Sequence, residues 1–233
     1  MNVYFYQEMV KHYQSLQVVR LDPANTQSYS KENDGIDKLW CDSSLVVFFG
    51  DSRIAYWKSF PDLENGRIVN RGVPGETTAQ AVLRLQLDVL DLKPDIVVIQ
   101  TGINDLKNIG IFPERKDEII KSCWENLNTM VGQIIERDIQ LVILTVFQPG
   151  PMGLLRRSIW SNDIYEGIDW INDKIKTLRD RGVTVLDCDI ILSHGGRMKP
   201  QYADDTFHLN NEGYQTLNRS LCPVLQEQID NRL

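Results

Sequence analysis

The chain has 233 residues, 42% of them apolar, and a formal charge of −7. That is enough chain for one α/β domain with a real core. No apolar run approaches the roughly 20 residues a membrane span needs, and an acidic balance disfavours non-specific attraction to nucleic-acid phosphates.

The first 44 residues place Tyr6, Met9, Val10 and Tyr13 at helical spacing, and Asp22-Pro23 reads as a cap followed by proline at the first helical position. This predicts a helical extension over 1–44 packed on a main domain over 45–233. The opening stretch MNVYFYQEMVKHYQ lacks the apolar centre of a secretion signal, which gives the expectation of a cytoplasmic protein. Cys41, Cys123, Cys188 and Cys222 are widely spaced and form no C-x-x-C pair, so reduced thiols are expected rather than a metal cage or a disulfide framework.

Val46-Val47-Phe48-Phe49 reads as a buried strand broken at Gly50. Ile68-Val69-Asn70 reads as a short second strand, with Arg71-Gly72-Val73-Pro74-Gly75 as a glycine-rich turn. A helix is expected over Glu76–Leu92, capped at Thr77 or Thr78 and ended by Pro94. Ile96–Gln100 is a third strand, and the following helix carries Ile119, Ile120, Cys123, Leu127, Met130, Val131, Ile134 and Ile135 on one face. Leu141–Val146 and Val183–Asp187 are the fourth and fifth strands, separated by a helix with Ile164, Ile168, Ile171, Ile175 and Leu178 on its apolar face. A last helix starts near Asn211 and runs toward Ile229, with a kink expected at Pro223. Apolar strands alternating with amphipathic helices imply a mostly parallel five-stranded sheet covered on both faces. This is a three-layer, doubly wound α/β sandwich, whose ligand crevice lies beyond the carboxyl ends of the strands.

Polar residues gather at those ends. Gly50-Asp51-Ser52 follows the first strand, Gly72 the second and Gly102-Ile103-Asn104-Asp105 the third, while Asp204-Asp205-Thr206-Phe207-His208 precedes the last helix. A serine hydroxyl needs a neighbouring base to take its proton, and the base works best with a carboxylate fixing its tautomer. Ser52, His208 and Asp205 supply those parts. The Ser52 and Gly72 N–H groups and the Asn104 amide would serve a developing oxyanion. Each also has a purely structural reading: Asn104 as a turn residue bonded to its own backbone, Gly72 as a tight-turn glycine, Asp51 as a brace or helix cap. His194, in Ser193-His194-Gly195-Gly196, and His12 are the rival bases, neither with an acid three residues before it. Trp160, with Met152, Leu154 and Leu155, is a candidate lining for an acyl pocket, and Arg156 and Arg157 are candidates to hold an anionic leaving group.

In their order and placement these motifs resemble those of the SGNH hydrolases, also called GDSL-like esterases and lipases. FGDS carries Ser52, NRGVPGETT carries Gly72, GIND carries Asn104, and DDTFHLN carries Asp205 and His208. The resemblance spans residues 45–215. It implies a flavodoxin-like fold and hydrolysis of a small-molecule carboxylic ester or thioester through an acyl-enzyme at Ser52. It also implies no metal and no organic cofactor. Short-chain acyl esters are the expected substrates. A carbohydrate O-acetyl esterase or an acyl thioesterase would use the same residues, and a catalytically silent flavodoxin-like binding module is the reading from a different class. Arg53 departs from the family pattern, in which an apolar residue often follows the serine. A cation at that position implies preference for an anionic substrate. Of the two adjacent acids, the family pattern and the three-residue spacing both select Asp205 over Asp204 as the partner of His208.

Overall fold

Strands buried on both faces must be apolar almost without interruption, and a computed structural model of the protein places the apolar runs side by side in one sheet. The structure describes residues 43–150, 152 and 160–232, together with Asp22, Pro23, Tyr29, Glu32 and Asn33. Strands β1 (Ser44–Gly50), β2 (Gly66–Gly72), β3 (Ile96–Gln100), β4 (Gln140–Leu144) and β5 (Thr184–Leu186) lie in the order β2-β1-β3-β4-β5. All neighbouring pairs are parallel. The α-helices with both ends among the described residues are α1 (Ser52–Ala55), α2 (Thr78–Asp88), α3 (Ile103–Leu106), α4 (Lys116–Ile135), α5 (Asn162–Thr177), α6 (Cys188–Leu192) and α7 (Asn211–Asp230). Parallel neighbours need crossovers, and the crossovers supply helices to both faces.

Strand alternation divides the core in two. Val47, Phe49, Val97, Ile99 and Ile143 pack with Leu85, Val131, Ile134 and Ile168 from α2, α4 and α5. Val46, Phe48, Val98, Val142 and Leu144 pack on the other face with Leu217, Leu221 and Leu225 of α7. Burial of one such side chain stabilises the fold by about 1.5–3 kcal/mol.

Some boundaries differ from expectation for identifiable reasons. The second strand runs on through Arg71 and Gly72, pairing Gly72 with Gly50 of β1. Gly72 is required there by a neighbour rather than by a turn: an added Cβ would lie 2.2 Å from the Ala55 nitrogen of α1. The expected helix over Glu76–Leu92 is shorter, starting after Thr77, whose N–H donates to Gln80 Oε1 at 3.0 Å, and passing at Leu90–Leu92 into a 3₁₀ turn. α7 continues through Pro223 as one element. Ser193–His194 and Arg197–Met198 form a two-stranded antiparallel hairpin across Gly195-Gly196, a turn sequence suited to positive φ at both central residues. Cys123, Cys188 and Cys222 are free thiols, and among the described residues no helix is long and apolar enough to cross a membrane. Tyr6, Met9, Val10, His12, Tyr13 and Cys41 lie outside the described residues, as does most of the expected N-terminal extension. Three of its residues reach β2: the Tyr29 hydroxyl donates to the Gly72 carbonyl (2.6 Å), and Glu32 and Asn33 accept from the Arg71 guanidinium (3.2 and 2.6 Å).

One buried cation holds the strand ends in place. Arg84 of α2 is fully buried. Its Nε and Nη2 donate to the two Glu76 oxygens at 2.5 and 2.6 Å, and Nη1 to Asp88 at 3.1 Å. Nη2 also reaches the carbonyls of Gly50 (3.2 Å) and Arg71 (2.9 Å), and the guanidinium lies 4.2 Å from the Phe49 ring centroid. Removing one member of such a group strands the others as buried charges, which costs about 3–5 kcal/mol. Arg84→Ala is therefore expected to lower the free energy of urea unfolding by that amount. A loss under about 0.5 kcal/mol, the scale of an ordinary surface substitution, would show that the cluster does not hold the strand ends.

Candidate active site

Strand order reverses between β1 and β3, so the chain leaving each strand turns away from the other and opens a crevice between them. Gly50 ends β1 against Gln100 of β3, and an added Cβ would fall 1.9 Å from the Gln100 carbonyl oxygen. The next residue, Asp51, caps α1: its carboxylate accepts from the Arg53 N–H at 2.9 Å. Burial raises the Asp51 carboxyl above its usual value, against the charge of Arg53 and the Arg53 N–H bond, with His208 and Lys107 also opposing. Ser52, the first residue of α1, is 7% exposed.

Ser52, His208 and Asp205 meet although 156 residues separate the serine from the histidine. His208 Nε2 lies 2.9 Å from Ser52 Oγ, and His208 Nδ1 lies 2.8 Å from Asp205 Oδ2. The other Asp205 oxygen accepts the N–H groups of Phe207 (2.6 Å) and His208 (2.9 Å). Burial alone would raise the Asp205 carboxyl, but these amide bonds and the imidazole outweigh it and hold it below its ordinary value. With the carboxylate on Nδ1, the tautomer bearing its proton there leaves Nε2 as an acceptor for the serine hydroxyl. The Tyr56 ring meets the imidazole edge to face at 5.1 Å. Asp204 is tied by its backbone N–H to the His208 carbonyl (2.9 Å) and, with His208, borders a cavity beside the imidazole. His194 stands exposed on the hairpin.

The expected oxyanion donors fare differently. Among the described residues the Ser52 N–H makes no hydrogen bond. The Gly72 N–H is already committed to Asn70 Oδ1 at 2.8 Å, while Asn70 Nδ2 donates to the Ile54 carbonyl at 2.9 Å. Asn70 thus pins α1 to β2 and occupies the donor that the sequence reading assigned to catalysis. The Gly75 N–H, three residues on, makes no hydrogen bond among the described residues. Asn104 of α3 is 5% exposed. One of its two amide hydrogens goes to the Glu76 carbonyl (2.8 Å), which sets Asn104 beside the 75–76 segment.

Arg53 is not at the mouth of the crevice. It is 1% exposed and turned inward, where Nη2 donates to the Phe147 carbonyl (3.1 Å) and Nε to the Phe207 carbonyl (3.3 Å). Its guanidinium lies 3.6 Å from the Phe147 ring centroid. Burial lowers its pKa to about 10, which still leaves it charged at neutral pH. The position therefore gives no ground for anionic substrates. It joins the residue after the serine to the residue before the histidine. Trp160 packs its ring 5.2 Å from that of Phe207 and so borders the loop bearing His208. Leu154, Leu155, Arg156 and Arg157 lie outside the described residues. Next to His208 is a cavity of about 290 Å³ bordered by Tyr56, Lys58, Ser59, Asp204, Asn210 and Asn211. Sequence reasoning missed Asn70, Glu76 and Arg84, because a polar side chain carries no sign of the distant group it will meet: the Ile54 carbonyl for Asn70, Arg84 for Glu76, and two strand-end carbonyls for Arg84.

Comparison with known proteins agrees with this architecture. Residues 48–216 match the GDSL-like Lipase/Acylhydrolase family. A lipoprotein of Bacillus subtilis, YqeF, is 33% identical over 117 residues, or 43% of this chain and 47% of that protein. The chain thus matches about half the length of this curated relative. A GDSL-like lipase from Bacteroides thetaiotaomicron superposes with a TM-score of 0.70 at 23% identity, covering 90% of this chain and 99% of the other. A catalytic mutant of Axe2, an acetylxylan esterase from Geobacillus stearothermophilus, gives 0.55 at 19% identity, covering 78% and 94%. These two likenesses show a shared fold. With nearly three-quarters of its length inside the family match, the chain belongs to the GDSL-like lipases and acylhydrolases, hydrolases acting on ester bonds.

Proposed function

We propose that hydrolysis proceeds through an acyl-enzyme on Ser52, with His208 as base and acid and Asp205 as the group that orients it. The observation carrying this reading is the unbroken chain of contacts from Asp205 through His208 to Ser52, at 2.8 and 2.9 Å. Ser52 Oγ attacks the ester carbonyl as its proton passes to His208 Nε2. The tetrahedral intermediate collapses, and the departing alcohol takes that proton. Water then attacks the acyl-enzyme, again giving a proton to His208, and the carboxylic acid leaves as Ser52 regains its hydrogen. The oxyanion is met by the Ser52 N–H, the second amide hydrogen of Asn104 and the Gly75 N–H. Gly75 takes the place first given to Gly72, because it is the donor in that loop left unoccupied.

The acyl group is short, acetyl to butyryl, because the loop sequences hold few long apolar stretches from which a deep acyl channel could be built. Trp160 packs on Phe207, the residue before His208. The cavity next to His208 sets the polar side chains of Lys58, Ser59, Asp204, Asn210 and Asn211 beside the apolar surface of Tyr56, Leu209 and Tyr214. That lining favours a second, narrower reading, in which the alcohol is a hydroxylated molecule such as a sugar and the substrate is its acetyl ester. An acyl thioester remains the third substrate class.

Ser52→Ala is expected to fold, to lose covalent labelling by a fluorophosphonate and to hydrolyse p-nitrophenyl acetate near background. Labelling that persists in pure mutant protein would place the nucleophile elsewhere, and an unlabelled wild type would favour a silent binding module. Asp205→Asn keeps the shape but presents the wrong tautomer to His208, a defect that costs about 10⁴ in kcat in a serine protease triad. Asp204→Asn is expected to stay within a few-fold, its charge being screened by solvent. Near-normal turnover in Asp205→Asn together with collapse in Asp204→Asn would exchange their roles. Initial rates across p-nitrophenyl esters are expected to peak between two and four carbons, and a parallel assay with acetylated xylo-oligosaccharides and acetyl-CoA separates the substrate classes. A maximum at ten carbons or more would contradict the short-acyl reading.

A further inference from the structure

Asn104 has more partners than a turn asparagine needs. Its amide nitrogen donates to the Glu76 carbonyl at 2.8 Å, its amide oxygen accepts from Lys107 Nζ at 2.6 Å, and its own backbone carbonyl accepts from Asn108 Nδ2 at 2.8 Å. An asparagine amide can rotate by half a turn and exchange oxygen for nitrogen at little steric cost. Here both ends forbid the exchange. A carbonyl can only accept and an ammonium can only donate, so the flipped amide would set oxygen against oxygen at Glu76 and N–H against N–H at Lys107. The second amide hydrogen thus has a fixed direction, at a residue that is itself 5% exposed. Lys107 stands three residues after Asn104, at the end of α3, where i and i+3 share a face. It is exposed, while the amide it holds is buried.

We propose that Lys107 is a positioning residue for ester hydrolysis, acting through Asn104. The ammonium locks the amide so that its free N–H faces the developing oxyanion, and by drawing electron density toward Oδ1 it strengthens that N–H as a donor. A bond from a charged donor is shorter and stronger than a neutral one, and a lock made before the reaction needs no reorganisation during it. The inference rests on the reading of Asn104 as an oxyanion donor. Its substrate class is that of the reaction itself, a neutral carboxylic ester, because the lysine works on the amide rather than on a substrate charge.

The test is a double-mutant cycle on p-nitrophenyl acetate with Lys107→Met, Asn104→Ala and the double variant, plus Lys107→Arg as the conservative replacement. Urea unfolding is measured for each. Lys107→Met is expected to lower kcat about ten-fold with KM and the unfolding midpoint nearly unchanged, since the side chain is exposed and touches no substrate. Lys107→Arg is expected to recover most of the loss. Asn104→Ala is expected to lower kcat by about 10² to 10³, and adding Lys107→Met to it to cost nothing further. If Asn104→Ala leaves kcat intact, the oxyanion reading fails and this inference falls with it. If Asn104→Ala is slow but Lys107→Met is unaffected, the oxyanion reading stands and the positioning role is wrong. A full additional ten-fold loss in the double variant would show Lys107 acting on the substrate directly, and a KM effect alone would make it a binding group; either result overturns the proposal.

Discussion

A guanidinium with no access to water decides how the carboxyl ends of β1 and β2 stand relative to α2. Arg84 gathers Glu76, Asp88 and the carbonyls of Gly50 and Arg71 around one charge. The Gly50 carbonyl accepts the Val73 N–H at 2.8 Å besides Arg84, and a buried carbonyl left unpaired would cost on the order of 1–3 kcal/mol. Holding both carbonyls with one side chain fixes their spacing as a by-product. Gly50 precedes Asp51 and Ser52 directly, and Glu76 follows Gly75, so the same cation sets the distance between the serine and the loop that faces it. Desolvation consumes most of the attraction in a buried ion cluster. Its value here lies in geometry more than in net stability. Burial raises the Glu76 carboxyl while Arg84 opposes the rise, which is the same competition seen from the acid.

A second buried cation does the equivalent work across the crevice. Arg53 belongs to α1 with the serine, yet its guanidinium binds the carbonyls of Phe147 and Phe207, one residue before the histidine. The Tyr214 hydroxyl of α7 returns the link by donating to the Arg53 carbonyl at 2.9 Å. Serine and histidine come from segments far apart in sequence, and a hydrogen bond of 2.9 Å between two side chains tolerates only small errors in the backbones that carry them. Ties between their immediate neighbours shorten the path over which such errors accumulate. Loop residues alone would leave the imidazole free to swing, since Asp205 is itself partly exposed and lies on the same loop.

Periodicity made the layers legible. Runs such as Ile96–Ile99 and the stripe from Ile120 to Ile134 state their own burial, because apolar spacing reports a face without needing to know what covers it. That Ser52, Asp205 and His208 would meet was legible for a different reason: each falls just beyond or before an element whose end the sequence marks, in the motif order of the family the chain resembles. Gly72 was placed in a turn because a glycine beside Pro74 and Gly75 has the composition of one, while it ends β2 with the backbone of α1 at 2.2 Å from a would-be Cβ. That neighbour is more than fifteen residues away and leaves no local trace. Arg53 was misread for the mirror-image reason. Charge in a sequence suggests exposure, and only the packing of Phe147 and the carbonyls above it shows that this charge is enclosed.

The amide donors of Ser52 and Asn104 proposed for the oxyanion differ in how their direction is set. The Ser52 N–H belongs to the backbone of α1, and its direction is fixed once Asp51 caps the helix and Asn70 holds the Ile54 carbonyl. A side-chain amide has two torsions of its own, and a donor free to turn would follow the ground-state carbonyl as readily as the oxyanion, binding both alike and lowering no barrier. Asn104 escapes this because Glu76 and Lys107 hold opposite ends of its amide. Glu76 is also the residue whose carboxylate Arg84 grips, so the carbonyl that aims Asn104 belongs to the most firmly anchored residue of the loop. The chain of constraint therefore runs from the buried Arg84 through the Glu76 backbone to the amide of Asn104, which is the path by which a core interaction would bear on the proposed oxyanion donor.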